Sequence, residues 1–302
     1  MEHSGHLNLS TLIPLATELQ PNQRSSGHVR PHLLVSVRDS QEARLARVSG
    51  VDWIDLKNPD NGALGAADEA TAVAVAGQLP QSDSLSHSAE RLMSAAVGEL
   101  RDMPTAAAKS LAGYFPLLKV GLSGLRDRQN WPEQLAELAN TVNLAGARLV
   151  PVIYADYAVC DAPTPAQVVE VASRLDEQQA AACTALQLDT AVSPTAVRAF
   201  GKDAAASRVS TQRYLLVDTF TKDGRRLLDW MELAELQAVV EQAAASGRQT
   251  VVAGSLALQD LPSLMGLPVA AIAVRGAVCT ADRRSGLCPE KLQQWVQLFS
   301  AR

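Results

Sequence analysis

The sequence predicts one α/β domain, a (β/α)8 TIM barrel. Three observations carry that reading: eight short apolar runs, a helix-like segment after each, and a chain of 302 residues. Strict alternation of strand and helix patterns implies a parallel sheet, because parallel neighbours need a crossover connection. Eight is the strand number that closes such a sheet, and single barrels commonly reach ~250 residues. Hydrophobic residues make up 47% of the chain and aromatics only 4%, so small and β-branched side chains must fill the interior. An open, doubly wound sheet is the alternative. It would carry a glycine-rich first turn, which is missing after LLVSV.

The strands are expected at LLVSV (33–37), WIDLK (53–57), LMSAAV (92–97), LLKVGL (117–122), RLVPVIY (148–154), YLLVDT (214–219), TVVAGS (250–255) and AAIAVRG (270–276). Helices are expected at 40–50, 68–79, 104–115, 131–146, 164–182, 231–247, 257–266 and 289–301. Ser40, Asp68 and Thr164 stand where helix caps should, and Gly50, Gly146 and Gly247 where helices should close. Residues 1–30 are polar, hold three of the five histidines and show no sustained period; they read as a flexible extension. Residues 31–302 form the barrel domain, with 183–213 read as an insertion before the sixth strand.

Charge and composition exclude several classes of function. A net charge of −5 gives no reason to expect nucleic acid or an anionic membrane as partner. No run reaches ~18 apolar residues and no signal peptide is evident, so a cytoplasmic protein is expected. Cys160, Cys183, Cys279 and Cys288 are scattered without metal-ligand spacing, which points to reduced thiols and no metal site. His3, His6, His28 and His87 read as solvated, and His32 as structural.

Barrel enzymes build their sites where strands end, so polar residues there are the first candidates. Lys57 ends strand two, Lys119 sits inside strand four, Asp218 ends strand six, and Lys222 follows four residues later. A lysine in apolar surroundings beside other cations keeps a free amine that can attack a carbonyl, and a facing carboxylate can move protons. These four are the candidate catalytic residues. Ser36 and Asp55 are placed in the substrate-binding set, although Asp55 also reads as simple charge balance. Gly254 and Ser255 at the end of strand seven, with Arg275 and Gly276 at the end of strand eight, are expected to hold phosphate through backbone amides and a guanidinium. A small phosphorylated substrate is therefore expected. The alanine-rich helical ring and the insertion would suit a homo-oligomer.

The segments LLVSVRD (33–39), DLKNPDNGALGA (55–66), SAAVGEL (94–100), LLKVGLSG (117–124), YAD (154–156), LLVDTFTKDGRRLLDWMELAEL (215–236), VVAGSL (251–256) and VRGAVCT (274–280) together resemble the (5-formylfuran-3-yl)methyl phosphate synthase family. The resemblance covers nearly all of residues 33–300, and the DxKNPxxGxLGA block is its most specific part. It implies a (β/α)8 barrel and a lyase that joins two molecules of glyceraldehyde 3-phosphate, losing phosphate and water, on the way to methanofuran-type one-carbon carriers. It implies no metal or organic cofactor. By motif, Lys57 would form the Schiff base, with Lys119, Asp218 and Lys222 beside it. The 1–30 tail, the 183–213 segment with its second LDT (188–190), and ADRRSG (281–286) depart from the family pattern, which leaves Arg283 and Arg284 without a role. Another Schiff-base aldolase or isomerase on the same barrel, and a non-catalytic scaffold, are the competing readings.

Overall fold

The computed structural model describes residues 30–78, 92–175 and 212–300. The 1–30 extension (but for Arg30) and the 183–213 insertion (but for Gln212 and Arg213) lie outside them. Within the described residues the chain runs β1 (His32–Val37), α1 (Ser40–Val48), β2 (Trp53–Leu56), α2 (Glu69–Ala76), β3 (Met93–Glu99), α3 (Thr105–Ala112), β4 (Leu117–Gly121) and α4 (Trp131–Leu144). It continues through β5 (Arg148–Tyr154), α5 (165–175), β6 (Tyr214–Asp218), α6 (Leu233–Ala245), β7 (Gln249–Val252), α7 (Leu261–Leu264), β8 (Ala271–Val274) and α8 (Pro289–Ser300). Every neighbouring strand pair is parallel, and β8 returns to β1, closing the barrel. The open-sheet alternative is thereby excluded.

Local chemistry explains most helix boundaries. Asp39, not Ser40, caps α1: its carboxylate accepts the Glu42 amide at 2.9 Å. Asp68 caps α2 as expected, accepting the Thr71 amide at 2.7 Å. Gly50, Gly146 and Gly247 take the left-handed conformation just past their helices. The segment expected as a helix over 257–266 is instead a 3-10 turn (Leu258–Asp260) leading into a single short helix. Pro262 near its start and Gly266 and Pro268 after its end leave no room for more turns.

The period of two along each strand divides the side chains into two sets. In β6, Leu215 and Val217 join the outer core against the helices, while Tyr214 and Leu216 point into the barrel. The same alternation sends Ser36, Asp55 and Lys119 inward, since their neighbours Val35, Val37, Ile54, Leu56, Leu118 and Val120 all belong to the outer core. Several inward positions carry small side chains, including Ala253, Ala271 and Ala273. The interior is therefore not filled. A cavity of about 420 Å³ opens at the C-terminal mouth and reaches down to Trp53, Leu92 and Tyr214.

Candidate active site

Lys57 is the first residue past β2. Its amide donates to the Val37 carbonyl, which fixes the backbone, and its side chain lies in the cavity with only 8% of the residue exposed. The loop after it explains the DLKNPDNGALGA pattern. Asn58 accepts the Asp60 amide, its own amide donates to the Gly65 carbonyl, and Leu64 is buried. At Gly65 a Cβ would stand 2.3 Å from the Asn58 oxygen, so no other residue allows the loop to fold back beside Lys57.

Burial in the apolar cavity is the main cause that lowers the Lys57 pKa to about 7. Asp218 acts against that shift, Lys119 and Lys222 reinforce it, and Asp55 opposes it more weakly. Near neutral pH roughly half of the amine is therefore unprotonated, as a nucleophile toward a carbonyl requires.

Two ion pairs flank this amine. Asp55 is fully buried and accepts Ser36 Oγ at 2.9 Å, Ser94 Oγ at 2.7 Å and Lys119 Nζ at 2.5 Å. Its carboxylate is committed to these three groups beneath the cavity, so it holds Lys119 rather than facing a substrate. Ser36 lines the cavity while its hydroxyl points to Asp55. On the opposite side Asp218 Oδ1 accepts Lys222 Nζ at 3.0 Å and the Thr219 amide at 2.7 Å. Burial alone would raise the Asp218 pKa, but Lys222 and Lys57 outweigh it and hold the carboxyl below its usual range. Lys222 also donates to Thr219 Oγ1.

The structure shows three further residues to which the sequence reading gave no role. Asp156 accepts the amides of Phe220 and Thr221 at 2.8 and 2.7 Å and so fixes the loop that carries Lys222. Glu99 accepts Tyr154 Oη at 2.6 Å and both the amide and hydroxyl of Ser123, closing the β3–β5 side of the mouth. Arg283 lines the same cavity as Asp218. Asp156 and Glu99 sit at strand ends, where the rule that found Lys57 and Asp218 would also have found them.

The expected phosphate residues divide. Gly254 (φ 110°), Ser255 (φ 52°), Leu256, Gly276 and Ala277 line the cavity, and no partner is recorded for their amides among the described residues. They form a cluster of donors at the ends of β7 and β8. Arg275 lines the cavity too, yet its five N–H groups are all taken up. They donate to Glu42 Oε1 and Oε2 and to the carbonyls of Ser36, Arg283 and Ser285. Its guanidinium has no donor left for phosphate, because it braces the loop over 281–286 instead.

A buried lysine with a nearly neutral pKa, a carboxylate–lysine pair across from it and a donor-rich rim suit imine chemistry on an anionic carbonyl compound. Among the described residues, no cluster of His, Cys, Asp and Glu could hold a metal ion, and no helix is long and apolar enough to cross a membrane.

Residues 33–196 and 192–296 match the family model described as 4-HFC-P synthase. The chain belongs to that family. Proteins named (5-formylfuran-3-yl)methyl phosphate synthase from several organisms are similar to it. The Methanococcus maripaludis protein is 30% identical over 84% of this chain and 92% of its own length. The Methanopyrus kandleri protein is 29% identical over 85% and 94%, and the Methanosarcina mazei protein 28% identical over 87% and 97%. Among solved structures, a 3-hexulose-6-phosphate synthase is similar at 15% identity and a TM-score of 0.48, covering 87% of this chain and 98% of that one. The family match makes this chain an enzyme of the synthase type.

Proposed function

We propose that this chain is a (5-formylfuran-3-yl)methyl phosphate synthase of methanofuran-type cofactor biosynthesis, and that it joins two molecules of glyceraldehyde 3-phosphate through an imine on Lys57. The observation that carries this reading is the buried Lys57 amine, titrating near 7 and set between the Lys119–Asp55 and Lys222–Asp218 pairs. The family relationship supports it. The balance of atoms is that two triose phosphates give the furan aldehyde phosphate, one phosphate and two waters, so the reaction needs no oxidant or reductant.

In this scheme the Lys57 amine attacks one triose carbonyl, and loss of water gives the imine. The imine nitrogen then withdraws electrons so that a neighbouring C–H is lost as a proton and an enamine carbon forms. Asp218 is the ionised carboxylate available to take that proton, and Lys222, bonded to it, returns protons to departing oxygens. Lys119, held by Asp55, contributes positive charge that keeps the Lys57 amine free. The amides of Gly254, Ser255 and Gly276 receive a substrate phosphate.

Incubation with glyceraldehyde 3-phosphate alone tests the reading, with the furan aldehyde followed by ultraviolet absorbance and mass spectrometry and with phosphate release measured in parallel. Native protein should yield the furan phosphate, and borohydride should trap a covalent triose adduct on Lys57. Lys57→Ala and Lys57→Arg should give neither. Isomerised or unchanged triose without furan would overturn the assignment in favour of another Schiff-base aldolase or isomerase.

A further inference from the structure

Two triose phosphates bring two phosphate groups into one cavity, and each needs its own partner. The donor amides after β7 and β8 account for one. Of the cations that line the cavity, Lys119 is paired with Asp55, Lys222 with Asp218, and Arg275 with Glu42. Lys57 and Arg283 are the two that form no ion pair among the described residues. The Lys57 amine is reserved for the carbonyl. Arg283 remains.

Its placement is built rather than incidental. One guanidinium nitrogen, Nη2, donates to the Gly62 carbonyl at 2.7 Å, so the side chain reaches across the mouth from the loop after β8 to the loop after Lys57. Four of its five N–H groups have no protein partner among the described residues. The side chain is half-buried and lines the same cavity as Asp218. Burial is the largest influence lowering the guanidinium pKa, and Asp218 is the strongest charge opposing that shift. Asp282 also lines the cavity, but its Oδ1 accepts the amides of Arg284 and Ser285.

The loop holding Arg283 is itself braced from below. Arg275 Nε donates to the Arg283 carbonyl at 2.6 Å and its Nη2 to the Ser285 carbonyl at 3.3 Å, while Glu42 clamps the same guanidinium from α1. Arg38, beside Glu42, donates to the Arg284 carbonyl, and Arg284 lies 3.7 Å from Asp60. A planar fork fixed in this way matches the paired oxygens of a phosphate.

We propose that Arg283 binds the second substrate phosphate, and that the buried Arg275–Glu42 pair is the post that positions it. This rests on the reading of the substrate as a phosphorylated triose. Arg275 and Glu42 are thus positioning residues, and Arg283 a specificity-determining one.

Three measurements test the proposal. Titration calorimetry with inorganic phosphate, which needs no turnover, should show two sites on the native protein, one of them weakened about tenfold or more in Arg283→Ala and partly restored in Arg283→Lys. Borohydride trapping should show the Lys57 adduct of glyceraldehyde 3-phosphate formed at much higher substrate concentration in Arg283→Ala, with the adduct of unphosphorylated glyceraldehyde unaffected. Glu42→Gln should raise KM for glyceraldehyde 3-phosphate as Arg283→Ala does, and add little in the double variant. Unchanged phosphate binding in Arg283→Ala, or equal weakening toward both aldehydes, overturns the proposal. Absence of the furan product in native protein would instead count against the assigned reaction, while the phosphate titration still judges Arg283.

Discussion

At Lys57 the competing effects are unequal, and their order sets the behaviour of the site. Burial dominates, Asp218 opposes it, and Lys119 weighs more than Asp55. We therefore expect kcat/KM to rise with pH along a limb centred near 7, as the free-enzyme amine loses its proton. Removing both members of the Asp55–Lys119 pair with Asp55→Asn/Lys119→Met should move that limb to higher pH, since the stronger of the two influences is lost. A limb that moves down, measured by the pH dependence of kcat/KM, would contradict this ordering. Asp55→Asn alone should be costly in another way. It leaves Lys119 buried without its carboxylate, and breaking one side of a buried pair typically destabilises by about 3–5 kcal/mol. The urea midpoint should fall accordingly. At this scale the sequence was informative wherever a charge interrupted an apolar strand, which is why Lys57, Lys119, Asp218 and Lys222 do converge. It misassigned Arg275 to phosphate, because nothing in α1 marks Glu42 as the acceptor that would occupy a guanidinium 233 residues away.

Elements contribute by closing one half of the mouth and leaving the other open. Glu99, at the end of β3, lies against β4 so closely that a Cβ on Gly121 would stand 2.3 Å from its carboxylate oxygen. The carboxylate is held there by Tyr154 and Ser123, and burial followed by Glu99 pushes the Tyr154 hydroxyl well above its usual pKa, so it stays a donor. Gly121→Ala should evict Glu99 and leave Tyr154 and Ser123 without an acceptor, at about 1–3 kcal/mol for the clash and a similar amount for the lost bonds. Because both changes act on one carboxylate, Gly121→Ala combined with Glu99→Ala should cost less than the sum of the two singles. Strict additivity in denaturant midpoints would show that the glycine serves something else. The order of elements was legible because the periods of two and 3.6 alternate cleanly, but several ends were displaced by up to three residues, as where β7 stops at Val252 and α3 at Ala112. Which residue caps depends on where the backbone turns, and a pattern of polar letters leaves Asp39 and Ser40 equivalent.

For the molecule as a whole, the site is a source of instability that the rest of the barrel must offset. The Lys57 side chain titrates ordinarily at 10.5 and in the folded protein at about 7. Between those values the unfolded chain carries the extra proton, so this residue makes folding stability increase with pH across that range. Below about pH 7 both states hold the proton, and the folded state bears the whole cost of a buried charge. Replacing Lys57 by Met removes the cost while filling much the same space in the apolar cavity, and Asp218 keeps Lys222 as its partner. We therefore expect Lys57→Met to abolish turnover and yet raise Tm, with a larger gain at about pH 6 than at about pH 9. Thermal unfolding of both proteins across this range measures the difference directly. A gain independent of pH would mean that Lys57 titrates alike folded and unfolded, and a loss at low pH would mean that its charge is needed to hold Asp218 in place. Either result would remove the physical basis for a free amine at neutral pH, on which the proposed imine depends.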